Sequence, residues 1–138
     1  MIKTTAPLIA AALLAGCANQ ASETPRQLVA RGEYLVTRVA GCNDCHTPMT
    51  PKGPDMRRSL QGAELLVAPR IDMPWMPRAP QIAGRPANFS HEQFVHFLQT
   101  GIRPDGSNPA PPMPPYRLNE ADARAVAAYV ESLPRAQE

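Results

Sequence analysis

Cys42-Asn43-Asp44-Cys45-His46 gathers the residues of this sequence best able to do chemistry. Two thiols that close together can each add across one vinyl group of a single haem, and the His that follows is placed to bind the iron from one face. A Cys-x-x-Cys pair also serves redox dithiols and half zinc sites. A zinc site would need two more strong ligands, and the other histidines, His91 and His96, stand five apart, which puts them on different faces of a helix. A thioredoxin-like dithiol would need a βαβ setting, and the sequence has no such pattern. The pentapeptide therefore reads as the attachment motif of one haem c, with Cys42 and Cys45 as covalent anchors and His46 as the proximal iron ligand.

A second axial ligand must come from the other side of the iron. Six methionines are available, and Met1 falls in the leader. Met49 is too near His46 to cross to the opposite face, and Met56 meets the same objection less severely. Met73 and Met76 remain open. Met113 lies in Pro111-Pro112-Met113-Pro114-Pro115, far along the chain. The prolines restrict φ at their own positions and ψ at the residue before each, so they hold the thioether with little freedom. That favours Met113 as the distal ligand over a Met that merely fills a core gap.

These residues need elements to position them. Thr24, Pro25 and Gln27 mark a helix start with a capping box, and Leu28, Gly32, Leu35, Val36 and Val39 recur at helical spacing. Gly32 costs a helix about 1 kcal/mol against Ala, which points to a close crossing by another helix. Gly41 ends that helix just before the motif. A second helix is capped by Ser90 with Gln93, shows Phe94, Phe97 and Leu98 on its apolar face, and stops at Gly101. A third starts at Asn119, runs through Val126, Tyr129, Val130 and Leu133, and stops before Pro134. Between them, 47–88 is turn-rich. Pro54, after Gly53, is the candidate carbonyl to accept the second ring N–H of His46, a contact that would fix its tautomer. Trp75 has an N–H that could meet a haem propionate, or any other buried acceptor. Cations outnumber acids here (Lys52, Arg57, Arg58, Arg70, Arg78, Arg85), a pattern suited to a solvated surface, to propionates or to an acidic partner.

The front of the chain reads as a leader. Lys3 precedes an apolar run from Ala6 to Ala15 that is too short to span a bilayer, so 1–16 is expected to be a signal peptide. Leu14-Ala15-Gly16-Cys17 resembles the lipobox of bacterial lipoproteins, which implies cleavage before Cys17 and acylation there. Residues 17–24 then form a polar tether, and 25–138 one haem domain. With two cysteines given to haem and one to lipid, none is left for a disulfide. Aromatic residues are 5% of the chain, prolines number 17 and the net charge is +2. With no basic run and no aromatic platform, nucleic-acid binding is not expected. A covalently held haem would supply much of the core that so small a chain lacks.

The order amphipathic helix, Cys-x-x-Cys-His, Gly-Pro loop, middle helix, Met loop and terminal helix resembles a class I cytochrome c. Gly32-Glu33-Tyr34-Leu35, Phe94 to Gly106 (FVHFLQTGIRPDG), and Pro112-Met113-Pro114 with Tyr116 and Leu118 are similar to the haem domains of bacterial alcohol and gluconate dehydrogenase cytochrome subunits. The resemblance covers 25–133 and implies an all-α fold, with three to five helices and long Pro-rich loops around one haem. It also implies that the first and last helices cross near Gly32 and Tyr129. Those subunits carry several haem motifs and this sequence has one, so the expectation is a stand-alone, non-enzymatic electron carrier. It would be lipid-anchored on the periplasmic side of a bacterial membrane, passing electrons from a dehydrogenase toward the respiratory chain. Two alternatives are a dedicated haem subunit of one dehydrogenase and a sensor or peroxidase-like protein with a displaceable distal ligand.

Overall fold

The computed structural model describes residues 23–136. Four helices carry the fold: α1 (Pro25–Tyr34), α2 (Cys42–His46), α3 (His91–Thr100) and α4 (Glu120–Ser132). Two minimal antiparallel ladders lie between α2 and α3. The first pairs β1 (Met49–Thr50) with β2 (Gly53–Pro54), and the second pairs β3 (Ala63–Glu64) with β4 (Arg78–Ala79).

Helix boundaries follow the local chemistry of the chain. Thr24 and Ser90 cap α1 and α3 with reciprocal boxes to Gln27 and Gln93, and the Asn119 side chain accepts the Asp122 N–H at the start of α4. Gly101 ends α3 in the left-handed conformation at φ 73°. The core joins Val36, just past α1, to Phe94, Val95, Phe97 and Leu98 of α3 and to Val126, Tyr129 and Val130 of α4. Leu60 is fully enclosed as well, although it comes from the turn-rich middle of the chain.

α1 crosses α4 at the expected glycine. A methyl group at Gly32 would overlap the Ala125 carbonyl oxygen and sit 2.7 Å from Tyr129 Cβ. Arg31 Nη2 reaches Asp122 at 2.6 Å beside the crossing.

One position departs from the helical pattern. Spacing alone puts Val39 on the buried face, and it is 60% exposed. The helix relaxes to π winding over Leu35–Val39, with the Ala40 N–H donating to the Leu35 carbonyl. The Thr37 hydroxyl donates to the Glu33 carbonyl at 2.7 Å, competing for an acceptor of the normal ladder. The wider turn rotates Val39 off the core face.

Gly32→Ala should lower stability by about 2 kcal/mol, since overpacking by about 3 kcal/mol outweighs a propensity gain of about 1. Denaturant unfolding of the holoprotein measures this, and an unchanged midpoint would contradict the close crossing.

Candidate haem site

α2 is a single short helix that carries Cys45 and His46 side by side, about one turn on from Cys42. Gly41 at φ 63° makes the break that lets α2 leave the line of the first helix. The Cys42 and Cys45 thiols are free, Cys42 partly buried and Cys45 exposed. Burial pushes the Cys42 thiol up to about 11.

His46 is buried and held from behind. Its Nδ1 donates to the Pro80 carbonyl at 2.8 Å, which leaves the lone pair on Nε2. Burial lowers the pKa of this ring and the Pro80 bond opposes that shift, so the neutral form suited to binding iron prevails. The acceptor is thus Pro80, not the expected Pro54. Pro54 instead pairs with Met49 in the small β1–β2 hairpin. The β3–β4 ladder is what brings Pro80, next after β4, back to α2.

A buried polar network fixes this arrangement. Asn43 Oδ1 accepts from Thr47 Oγ1 at 2.7 Å and from Ser59 Oγ at 2.9 Å, and Thr47 Oγ1 accepts the Leu60 N–H at 2.9 Å. Leu60 is left-handed at φ 59°, a conformation costing roughly 1–2 kcal/mol outside glycine. Its carbonyl accepts from the N–H groups of Ile82 and Ala83, so the strained residue holds the segment that follows Pro80. Gly62, at φ 84°, donates its N–H to the His46 carbonyl at 2.7 Å. A Cβ on Gly62 would come 2.9 Å from Gln81 N.

Met113 is half-buried against the core. Its loop is pinned on several sides. Met76 N donates to Pro111 O at 2.8 Å, Leu118 N to Leu98 O at 3.1 Å, and Arg117 Nη1 to Thr100 O at 2.6 Å. Tyr116 Oη donates to Ala40 O at 2.6 Å. Met73 and Met76 are 38% and 48% exposed, and Met56 is 51% exposed.

Trp75 Nε1 is buried with no partner among the described residues. The His91 ring lies 3.0 Å from Glu131 and His96 is exposed, and the described residues hold no cluster of three metal-ligating side chains. Most of the basic excess in the middle loop is satisfied internally: Arg57 and Arg58 by Asp55, Arg78 by Glu64, and Arg85 by Glu131. Cys17 lies outside the described residues.

The Cytochrome c family model matches residues 29–134. The chain belongs to the cytochrome c family. It is 30% identical over 115 residues to the fructose dehydrogenase cytochrome subunit of Gluconobacter japonicus, and 31% identical over 114 residues to a nicotinate dehydrogenase subunit of Pseudomonas putida. Each alignment covers 75% of this chain, but only 22% and 9% of the respective relatives. The cytochrome carries covalently bound haem c and serves electron transfer, as an all-α fold of this family. Its side chains fit that group. The two cysteines are unpaired, His46 offers Nε2, and the orphaned Trp75 N–H is a donor suited to a carboxylate such as a propionate.

Thr47→Val should cost about 2 kcal/mol, because it leaves the buried Leu60 N–H without an acceptor and takes one donor from Asn43. Thermal unfolding of the holoprotein measures it, and a neutral result would mean that the network does not hold the proximal wall.

Proposed function

We propose that this cytochrome is a monohaem electron carrier with His/Met axial ligation, held at the periplasmic face of a bacterial membrane by a lipid on Cys17. When bound, haem c takes up and releases one electron at its iron. Cys42 and Cys45 hold the group by thioether bonds, and His46 Nε2 binds the metal while Pro80 keeps the ring in one tautomer. Met113 closes the other axial position. The observation that carries this reading is the half-buried Met113 on a loop pinned to three other parts of the chain. A weak thioether ligand stays bound when its loop has nowhere else to go, and His/Met ligation raises the potential. Met73 and Met76 are more exposed and are the weaker candidates.

The named relatives support a dehydrogenase as the electron donor. They also favour a second reading, in which the chain is a dedicated haem subunit of one such complex. Co-purification with a single dehydrogenase at constant stoichiometry would select it. The anchor rests on Leu14-Ala15-Gly16-Cys17 and on the polar residues between Cys17 and the Thr24 cap.

The oxidised protein should show the weak far-red absorption of sulfur bound to iron, and Met113→Ala should abolish it, lower the potential and admit carbon monoxide. Met73→Ala and Met76→Ala should keep the band. Loss of the band in Met76→Ala instead would move the ligand assignment. A wild type that lacks the band and binds carbon monoxide readily would favour a sensor or peroxidase-like protein.

The full-length protein should stay with membranes at high salt and leave them in detergent, and Cys17→Ala should release it with an unchanged haem spectrum. Wholly soluble wild type would remove the anchor from this reading.

A further inference from the structure

Among the described residues, four hydrogen bonds tie the Met113 loop, and they differ in what they reach. Met76 N ties Pro111 to the 65–77 loop, while Leu118 N and Arg117 tie the far end to the C-terminal part of α3. Only Tyr116 Oη, among these, reaches the segment that carries the haem motif. Its acceptor, Ala40 O, stands two residues before Cys42, and 76 positions separate donor from acceptor. Tyr116 lies three residues after Met113, is partly buried, and shares the surroundings of the Cys42 sulfur.

That placement makes the bond a strut between two separate stretches of chain. One stretch bears the proximal ligand and the covalent anchors, and the other bears Met113. Their separation decides whether the thioether can reach an iron already fixed by Cys42, Cys45 and His46. The first helix relaxes into a π turn just before Ala40, and the Ala40 N–H closes that turn onto the Leu35 carbonyl. The Ala40 residue is therefore held at its N–H by the turn and at its C=O by Tyr116. Gly101 backs the other flank of the loop, where a Cβ would come 2.6 Å from Arg117 Nη1. With that flank fixed, rupture of the Tyr116 bond frees the loop to swing away from the motif.

We propose that Tyr116 is a positioning residue that keeps Met113 on the iron, by tying the Met loop to the peptide that precedes the haem motif. The proposal rests on Met113 being the distal ligand. Tyr116 touches neither the iron nor an electron-transfer partner in this role. It acts through Met113, and it controls how often the distal position opens.

The test uses holoprotein of the wild type, Tyr116→Phe, Met113→Ala and Arg31→Ala. Tyr116→Phe keeps the ring and its packing, so it should mature and fold. Ferrous Tyr116→Phe should take up carbon monoxide faster than wild type by between about twofold and about tenfold, the range that one net hydrogen bond converts to. The far-red band of the oxidised variant should fade on heating well before global unfolding. Arg31→Ala removes a tie between α1 and α4, so it should unfold at lower temperature with carbon monoxide uptake as in wild type. Equal uptake by Tyr116→Phe and wild type, with the band lost in Met113→Ala, would overturn this inference alone. Uptake raised as much by Arg31→Ala as by Tyr116→Phe would also overturn it, because the effect would then be general loosening. Retention of the band in Met113→Ala would overturn the ligand assignment and this inference together.

Discussion

The crossing of α1 and α4 is the constraint on which the rest of this small fold depends. Gly32 lets the first helix lie against the backbone at Ala125, and Tyr129 covers the contact from the side. Two elements from opposite ends of the described chain are thereby clamped, and everything between them must form a closed loop. The haem motif leaves one end of that loop and the Met113 segment returns at the other. A closed path of this kind gives a chain with few aromatic residues a way to surround a flat, rigid group. The covalent group then supplies apolar surface that the sequence itself does not hold.

On the proximal side, strain and polarity are concentrated in a few residues. Leu60 is left-handed without being glycine, yet it is fully buried and its peptide groups make three hydrogen bonds. Asn43 and Thr47, inside the attachment motif and just after it, extend the network into the same wall. Positions between and after the two cysteines thus carry structural duties besides spacing the thiols. Such an arrangement tolerates little change, since each lost partner would leave a buried polar group unpaired.

The helices are legible in the sequence because their signals are local. Capping boxes at Thr24 and Ser90, the glycine stop at Gly101 and the Asn119 cap each need only a few neighbouring residues. The haem motif and the family are legible for a similar reason, and so is the crossing glycine. The proximal carbonyl is not. Pro54 follows the motif closely and suggests itself on distance along the chain, but it is engaged in the β1–β2 hairpin. Pro80 reaches His46 through two-residue strands that pair across a long loop and through the Ile82 and Ala83 bonds to Leu60, and strands that short leave almost no periodic trace. Val39 escapes the helical pattern because a single π turn shifts its phase, and that shift comes with a Thr37 hydroxyl bond that spacing does not reveal. The ties of the Met113 loop likewise link residues tens of positions apart.

The long route from β3 to Pro80 has a consequence for how the protein answers to disturbance. The acceptor behind His46 belongs to a hairpin closed by two pairs of residues and a few turn bonds, a kind of structure that opens locally more readily than packed helices do. Opening of that hairpin would leave the Pro80 carbonyl held from one side, through the Ile82 and Ala83 bonds to Leu60, while the helices and the covalent attachments stay in place. The orientation of the proximal ring is therefore linked, through Pro80, to the loop at 65–77. A disturbance of 65–77 that strained this hairpin would reach the His46 ring through the Pro80 carbonyl.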